Sequence, residues 1–426
     1  MLDLKFIREN PELVRQAIKN KNEKDNLDQL LELDSKRREL LKQVEELKSQ
    51  KNKASDEVAR LKREGKDASE IIQKMKSVSD EITSLDKQLS EIEKQLDQIL
   101  LFIPNIPHSS VPVGSDASQN VEVRRWSPEG YSYELENGNY LDHLALGKKL
   151  GILDFERGAK ISGSGFPVYV GKGATLERAL INFMLDYHLE KHGYKEIFPP
   201  FLVNRASMIG TGQIPKLEDD MYHCVEDDLF PIPTAEVPIT NFYRDEILKE
   251  DDLPIKFVGY SACFRREAGS YGKDTKGFLR VHQFNKVEMV KFVKPEDSYD
   301  ELEKLVNDAE DILKELKIPY RVIMLCTGDL SFSAAKCYDI EVWAPVERKY
   351  LEASSCSNFE SFQARRANIR FRRKETGKPE FVHTLNGSGL ATSRLMVAIM
   401  ENYQTPEGKL IVPKVLQKYT GFEVIG

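Results

Sequence analysis

Two heptad patterns near the N-terminus constrain the fold of this chain more than any other feature of its sequence. From Leu30 to Leu61 a mostly apolar residue recurs at alternating spacings of three and four, and a second pattern of this kind runs from Ile71 to Ile99. Such spacing is typical of helices that pack along apolar seams. The seam residues are Leu30, Leu33, Arg37, Leu40, Val44, Leu47, Lys51, Ala54, Val58 and Leu61, then Ile71, Met75, Val78, Ile82, Leu85, Leu89, Ile92, Leu96 and Ile99.

The segment between the two patterns is short. It reads KREGKDA, and Gly65 within it is a residue that ends helices readily. Two helices joined by so short a turn must fold back on each other, so the sequence predicts an antiparallel helical hairpin at about residues 27–100. A first helix of about 37 residues would be about 55 Å long.

Charge is distributed unevenly along this hairpin. Between Lys48 and Lys66 the residues Lys48, Lys51, Lys53, Arg60, Lys62, Arg63 and Lys66 are basic, against the acidic Asp56, Glu57 and Glu64. One interpretation is a solvated coiled-coil surface. The other is a basic tip that binds a phosphate backbone by shape and charge, as proteins bind A-form RNA.

A change of composition marks the end of the hairpin. The stretch IPNIPHSSVPVGSDASQN, from Ile103 to Asn120, contains Pro104, Pro107 and Pro112 and has no helical periodicity. We therefore predict an N-terminal domain of residues 1–103, a linker of residues 104–120 and a larger domain of residues 121–426.

The bulk composition limits the class of protein. A chain of 426 residues exceeds the usual size of a single hydrophobic core, and its net charge of −7 argues against a uniformly basic nucleic-acid binder. Its five cysteines form no CxxC pair, which indicates a reducing compartment and no zinc site. The N-terminal MLDLKFIRENPELV has charges where a secretion signal has an apolar run, and no apolar run of about 18 residues occurs. We expect a cytoplasmic protein that contacts no membrane.

The larger domain alternates short strand-like runs with helical stretches at Ala174 to Lys191 and Ser298 to Leu316. Loops of hairpin length between neighbouring runs predict antiparallel pairing and an α+β fold. Neither a GxxxxGK[ST] phosphate loop nor a convincing GxGxxG motif is present, so a bound nucleotide would be held by side chains. The strand-like runs are FPVYVG, KEIFPPFLV, IKFVGYSACFRRE, FLRVHQFNKVEMV, RVIML, YDIEVWAP and YLEASS.

One pair of runs has an unusual side-chain pattern. In FRREAGSYGKDTKGFLRVHQFNKVE, from Phe264 to Glu288, the second run places charged and aromatic residues on a single strand face. An ordinary solvated hairpin would also alternate in this way, so the pattern alone leaves a ligand-binding face as one of two interpretations. The residues of that face are Arg280, His282, Phe284, Lys286 and Glu288.

The order of several motifs resembles the seryl-tRNA synthetases of bacterial type, which are class II aminoacyl-tRNA synthetases, over essentially the whole chain. The first class II motif is similar to GKGATLERALINFMLDYHLEKHGYKEIFPPF, with Pro199 or Pro200 as its marker. The second is similar to FRRE followed by RVHQFNKVE, and the third to NGSGLATSR with Gly387, Gly389 and Arg394. The segments PTAEVP, EASSCSNF and LNGSGLA are similar to serine-specific segments of the family.

The chain departs from the usual family pattern at a few positions. Phe359 stands where a second Cys is usual, Leu351 where Arg is usual, and Ser393 where Gly or Pro often precedes the third-motif Arg. None of these changes removes a group that the chemistry requires.

The resemblance implies ATP-dependent activation of L-serine to seryl-adenylate and transfer of the seryl group to the 3′ end of tRNA(Ser), on a class II catalytic domain with an antiparallel sheet flanked by helices. Catalysis by position and charge is assigned to Arg265 and Arg394. Serine binding is assigned to Thr234, Ala235, Glu236, Arg265, Glu288 and Ser388. ATP binding is assigned to Arg265, Arg266, Glu267, Arg280, Phe284, Glu352, Ala353, Ser354, Ser355 and Arg394. Magnesium binding is assigned to Glu352 and Ser355.

The resemblance also implies macromolecular partners. In this family the rod contacts the long variable arm of a tRNA held by the partner subunit, so we expect a homodimer that binds tRNA(Ser) through the hairpin and no DNA. Whether selenocysteine tRNA is also charged stays open. The second-motif loop has two alternative interpretations: it contacts the acceptor stem of the tRNA, or it is simply disordered. Its residues are Gly269, Tyr271, Gly272, Lys273 and Lys276.

Two other functions fit a synthetase-like domain. An amino-acid ligase that loads a carrier protein is one, but such relatives lack the N-terminal rod that this chain has. A non-catalytic RNA-binding relative is the other; it would have lost Arg265, Glu288 or Arg394, and all three are present. Serine-dependent exchange of pyrophosphate into ATP, followed by tRNA charging with and without residues 30–99, distinguishes these functions.

Overall fold

The computed structural model describes residues 1–135, 138–268 and 277–426. The chain forms two compact units. The smaller contains Leu2–Lys19 and Glu23–Pro104, and the larger contains Met1, Asn20–Asn22 and Asn105–Gly426. The division into a domain of residues 1–103, a linker of residues 104–120 and a domain of residues 121–426 stays a prediction.

Two long helices dominate the smaller unit, as the heptad patterns predict. Every predicted seam residue is buried or half-buried, although most neighbouring positions are exposed. The pairs Arg37–Glu93 and Lys48–Asp86 join the two helices, with N···O distances of 3.0 and 3.5 Å. Residue numbers rise along one helix as they fall along the other, so the helices are antiparallel. The N-terminal helices are α1 (Leu4–Glu9), α2 (Pro11–Asn20), α3 (Leu27–Arg63) and α4 (Ser69–Leu100).

The turn between α3 and α4 uses the predicted glycine. Gly65 has a φ of +69°, a left-handed conformation that side chains with a Cβ rarely adopt. The polar seam residue Arg37 is explained by its ion pair with Glu93 across the hairpin.

The larger unit is built on a mainly antiparallel sheet. Among the described residues this sheet has eight strands in the order β1-β8-β9-β10-β13-β7-β6-β2, and all neighbours are antiparallel except β2 and β6. The strands of the chain are β1 (Val121–Trp126), β2 (Lys195–Glu196), β3 (Leu202–Asn204), β4 (Leu229–Pro231), β5 (Ile247–Lys249), β6 (Ile255–Phe264), β7 (Gln283–Val293), β8 (Tyr320–Met324), β9 (Lys336–Ala344), β10 (Lys349–Asn358), β11 (Arg370–Arg372), β12 (Pro379–Phe381), β13 (His383–Ala391), β14 (Leu410–Ile411) and β15 (Val424–Ile425).

Helices pack on this sheet and complete its core. Helices α7, α10 and α12 contact the central strands, and their apolar residues form a large buried cluster with them. This packing agrees with the predicted α+β fold. The helices of the larger unit are α5 (His143–Lys149), α6 (Phe155–Ser162), α7 (Lys172–His192), α8 (Arg205–Thr211), α9 (Glu236–Asn241), α10 (Ser298–Glu315), α11 (Phe362–Ala367), α12 (Thr392–Asn402) and α13 (Lys414–Thr420).

Some predicted strands are shorter than their sequence patterns suggest. FPVYVG forms only an isolated bridge from Tyr169 to Leu153. KEIFPPFLV is divided between β2 and β3 because Pro199 and Pro200 have no N–H to donate to a ladder. The run that starts at Phe278 begins with a 3₁₀ turn, Gly277–Leu279, and becomes a strand only at Gln283.

Within the described ranges, no helix combines the length and the apolar character that a membrane span requires.

Candidate active site

A cleft of about 530 Å³ opens over the strands β7, β10 and β13. It brings together residues that are more than 150 positions apart in the sequence, from PTAEVP to NGSGLATSR. Most of the predicted site residues line it. They are Thr234, Glu236, Arg265, Glu267, Arg280, Phe284, Glu352, Ala353, Ser354, Ser355, Ser388 and Arg394.

Of the described residues predicted for the site, three lie outside this lining. Glu288 is fully buried in the cleft wall, where it contacts Thr234. Ala235 is fully buried in an apolar cluster behind the cleft. Arg266 is exposed, and its backbone N–H donates to the carbonyl of Asp220.

Glu288 has donors on both carboxylate oxygens. Its Oε2 lies 2.5 Å from Lys286 Nζ and accepts a 3.2 Å hydrogen bond from the Thr234 hydroxyl. Its Oε1 accepts from Asn386 Nδ2 at 2.9 Å. Because Lys286 and Glu288 are two residues apart on β7, they share a strand face, and this arrangement supplies a buried anion with a buried cation.

Glu236 is the second buried carboxylate here. Its Oε1 accepts from Gln363 Nε2 at 2.6 Å, and its Oε2 accepts from Asn386 Nδ2 at 3.1 Å. Burial and the nearby charge of Glu288 raise the pKa of Glu236 to about 7. One amide of Asn386 therefore joins two carboxylates, one paired with a lysine and one close to its titration point at neutral pH.

Arg265 and Phe284 lie side by side across the hairpin of β6 and β7. The guanidinium carbon of Arg265 is 5.1 Å from the centre of the Phe284 ring, a cation–π distance. Arg265 Nε also donates to the Pro233 carbonyl at 3.4 Å, and its backbone pairs with His282. The aromatic ring and the guanidinium thus lie together in the cleft.

Arg394 is the first charged residue of α12 and is held from two sides. Its Nη1 donates to the backbone carbonyl and to Oε2 of Glu352, at 3.0 and 3.1 Å. Its Nε donates to the Leu279 carbonyl at 3.3 Å. A second ion pair at the edge of the cleft joins Arg280 to Glu267 at 2.9 Å.

A β-bulge in β10 decides which oxygens face the cleft. Residues three apart on a regular strand point to opposite faces, but the register between β10 and β9 shifts between Glu352 and Ser354. Glu352 is opposite Glu341 and Ser355 is opposite Asp339, so Glu352 and Ser355 share one face. Their carboxylate and hydroxyl oxygens are hard ligands of the type that Mg²⁺ prefers.

The structure adds polar residues that sequence reasoning did not assign to the site. Lys286 was on the predicted ligand face, and Asn386 lies inside NGSGLATSR, so both had a sequence signal. Gln363, on α11, had none, because only the fold brings it to Glu236. Asp339 lies opposite Ser355, and burial raises its pKa well above the usual range.

The predicted contact residues of the second-motif loop, Gly269, Tyr271, Gly272, Lys273 and Lys276, lie outside the described residues.

Two family models match the chain. The tRNA synthetase class II core domain (G, H, P, S and T) matches residues 218–403. The seryl-tRNA synthetase N-terminal domain matches residues 1–107.

Curated relatives match along the full length. The chain is 62% identical to the serine–tRNA ligase of Chloroherpeton thalassium over 430 residues, which covers 100% of both proteins. It is 62% identical to the serine–tRNA ligase of Caldicellulosiruptor saccharolyticus over 426 residues, again with 100% of both covered.

Solved structures agree with the fold. The seryl-tRNA synthetase from Pyrococcus horikoshii complexed with ATP matches with a TM-score of 0.93 and 42% identity, covering 100% of this chain and 99% of that chain. The cytoplasmic serine–tRNA ligase from Naegleria fowleri in complex with AMP matches with a TM-score of 0.88 and 30% identity, covering 100% and 98%.

The antiparallel sheet, the cleft on its face and the core-domain match together define a class II aminoacyl-tRNA synthetase. Within that class, full-length identity and the N-terminal match narrow the assignment. The chain belongs to the seryl-tRNA synthetase family.

Proposed function

We propose that this chain is an ATP-dependent ligase that converts L-serine to seryl-adenylate and then transfers the seryl group to the 3′ end of tRNA(Ser). The observation that carries the proposal is one cleft in which two buried carboxylates lie beside Arg265 and Phe284. The two carboxylates can bind an ammonium group and a hydroxyl, Arg265 can bind a carboxylate, and Phe284 can stack on a nucleobase.

Serine recognition is assigned to the carboxylate end of the cleft. Glu288, together with Ser388, accepts a hydrogen bond from the serine hydroxyl. Thr234 and Glu236 surround the ammonium group, and Ala235 supports this loop from the apolar cluster behind the cleft. A site built to bond a hydroxyl leaves buried polar groups unpaired when alanine enters, and such sites reject the analogue by roughly 10⁴ or more.

ATP recognition is assigned to the Phe284 end. Adenine stacks on Phe284, with Arg394 on its other face, and such a stack contributes about 1–3 kcal/mol. Glu267 meets the adenine edge, while Arg266 and Arg280 serve the phosphates. Ala353 and Ser354 complete the β10 wall of the nucleotide site.

The reaction itself needs little proton transfer, since a serine carboxylate displaces pyrophosphate from the α-phosphate. Arg265 offers planar paired donors to both anions and cannot lose its charge, so it holds them close and offsets their repulsion. Arg394 adds positive charge from α12. The protein therefore acts by position and electrostatics, with no general base.

Glu352 and Ser355 would hold Mg²⁺ together with the phosphates. Their shared face, produced by the bulge in β10, supplies a carboxylate and a hydroxyl oxygen and so fits the ion. When bound, the ion would neutralise phosphate charge.

The hairpin of α3 and α4 is assigned to tRNA. Its basic distal half matches a phosphate backbone, and we propose that it contacts the variable arm of a tRNA(Ser) held by the partner subunit of a homodimer in the cytoplasm. On this proposal residues 1–103 form the tRNA-binding domain and residues 121–426 the catalytic domain.

Two assays test the proposal together. Serine-dependent exchange of pyrophosphate into ATP reports activation, and charging of tRNA(Ser) reports the whole reaction. Deletion of residues 30–99 should leave exchange intact and reduce charging severely. Absence of exchange by the full chain would contradict the ligase, and unchanged charging after the deletion would refute the role of the hairpin.

A milder variant tests charge rather than shape. Replacing the exposed Lys53, Lys62 and Arg63 by Gln should raise the KM for tRNA and leave the KM values for serine and ATP unchanged. The matched control replaces Lys36, Arg38 and Lys42, which are also exposed basic residues and lie in the proximal half, and should have a smaller effect.

A further inference from the structure

His143 is a buried residue that the sequence motifs do not include. It is the first residue of α5 and has no exposed surface. Its Nε2 lies 3.3 Å from the backbone nitrogen of Phe278, whose N–H donates to it. The ring therefore touches the turn that leads into β7.

This turn forms part of the cleft. Phe278 and Leu279 both line it, and the Leu279 carbonyl accepts the hydrogen bond from Arg394 Nε. The Phe278 side chain is itself fixed, since its ring packs 5.2 Å from that of Phe155 and 5.3 Å from that of Tyr169. One short segment thus connects His143 to an arginine assigned to ATP.

The chemistry of the contact defines the state of the ring. A backbone N–H only donates, so Nε2 must carry a lone pair, and in the neutral ring the proton sits on Nδ1. Oε1 atoms of Glu347 and Glu401 each lie 3.9 Å from Nδ1. Glu401 is oriented by the N–H groups of Val346 and Glu347, which donate to its Oε2 at 2.8 and 3.1 Å.

The same three side chains have the spacing of a cation site, since one ligand atom from each lies within 4.8 Å of the others. The Phe278 contact argues against that use. An imidazole that accepts at Nε2 carries its proton on Nδ1 and has no lone pair there for a metal. The carboxylates instead face an N–H, which favours the tautomer that accepts from Phe278.

The His143 ring also restricts which residue can precede Phe278. Gly277 has a φ of +57°, and a Cβ at that position would lie 2.2 Å from His143 Nε2. Even alanine would force the ring or the turn to move.

We propose that His143 is a positioning residue of the ATP site, which holds the turn Gly277–Leu279 so that the Leu279 carbonyl fixes Arg394 over the nucleotide. The proposal rests on the proposed function in one respect, namely that ATP occupies this cleft. His143 touches no substrate, so its loss should affect ATP and leave serine recognition unchanged.

The test compares His143→Leu with His143→Gln in the full chain. Leu removes the acceptor at similar size, whereas the Gln side-chain oxygen reaches about as far as Nε2. In pyrophosphate exchange, His143→Leu should raise the KM for ATP by about three- to tenfold, as expected for one lost hydrogen bond, with the KM for serine unchanged. His143→Gln should recover most of the ATP affinity, and calorimetric binding of ATP should follow the same order.

The outcomes separate the two proposals. If the unmodified chain performs no serine-dependent exchange, the proposed function fails. If it does and His143→Leu binds ATP like the unmodified chain, or Gln and Leu behave alike, the role of His143 is refuted. Equal changes in the KM for ATP and for serine would also refute it, since they indicate general disruption.

A second variant covers the case in which His143→Leu does not fold. Gly277→Ala should raise the KM for ATP because the new Cβ displaces the turn from His143. A His143→Ala background removes this closest contact and leaves the milder one with Leu144 Cδ2 at 2.9 Å, so the same substitution should have a smaller effect on that KM. Equal effects in both backgrounds would contradict the contact.

Discussion

At the scale of residues, the cleft combines two buried carboxylates that the protein treats differently. Glu288 is paired with Lys286 at 2.5 Å, whereas Glu236 accepts hydrogen bonds from the amides of Gln363 and Asn386. Burial, and then repulsion by the adjacent charge of Glu288, raise the pKa of Glu236. The ammonium group of a bound serine would relieve this repulsion.

The raised pKa of Glu236 predicts how serine binding depends on pH. Burial first, and then the charge of Glu288, raise that pKa to about 7, while Lys286 and Arg265 oppose the shift. Below this pH the carboxyl is protonated and cannot pair with an ammonium. Serine should therefore bind about tenfold more tightly at about pH 8 than at about pH 6. Calorimetric titration checks this.

The control for this prediction is Glu236→Gln. The variant has no titrating group at this position, so its serine affinity should be weaker and nearly flat across the same pH range. A slope equal to that of the unmodified chain would assign the titration to another group.

The pair of Lys286 and Glu288 predicts a stability effect. Lys286→Met leaves Glu288 buried without its cation, and breaking a buried ion pair from one side costs about 3–5 kcal/mol of the free energy of unfolding. The same substitution in a Glu288→Gln background should cost much less. Urea unfolding measures both, and equal costs would mean that the two charges are not coupled.

At the scale of elements, the β10 bulge assigns neighbouring serines to different tasks. Ser355 shares a face with Glu352, whereas the Ser354 hydroxyl donates to the Ser388 carbonyl at 2.6 Å. Ser355→Ala should raise the Mg²⁺ concentration needed for half-maximal exchange, whereas Ser354→Ala should leave that concentration unchanged and, because the Ser354 hydroxyl also holds Ser388, should raise the KM for serine in addition to that for ATP. Magnesium and serine titrations distinguish them, and a shared phenotype would contradict the bulge as the cause.

The helical hairpin has a matched pair of isoleucines. Ile82 lies on the seam and is 7% exposed, while Ile72 lies off the seam and is 45% exposed. Ile82→Ala should lower hairpin stability by about 2–4 kcal/mol, as buried truncations do, and Ile72→Ala by much less. Thermal unfolding of the full chain followed by circular dichroism measures the difference, and similar shifts would place the helix interface elsewhere.

Elements also differ in how far the sequence predicts them. The seam from Leu30 to Leu61 predicts α3 because a long apolar period has one helical solution, and its length agrees with the structure. FPVYVG does not form the predicted strand. It pairs only through one bridge, from Tyr169 to Leu153, and local sequence does not reveal that partner. The bulge between Glu352 and Ser354 is likewise a property of two paired strands.

At the scale of the whole molecule, the chain combines a helical hairpin with a class II catalytic unit, as its motifs predict. The motifs also predict most of the cleft lining, since side chains such as Arg265 and Phe284 carry recognisable chemistry at fixed spacing. They do not predict Gln363 or His143, which act through contacts that only the fold creates.

Glu288 is the group proposed to recognise the serine hydroxyl, and serine selectivity depends on it most directly. The direct measurement is the ratio of kcat/KM for serine to that for alanine in pyrophosphate exchange, for the unmodified chain and for Glu288→Ala, with ATP binding as the control for folding. We predict a preference for serine of about 10⁴ that falls to within about tenfold of unity in the variant. A variant that binds ATP and keeps the full preference would contradict the account.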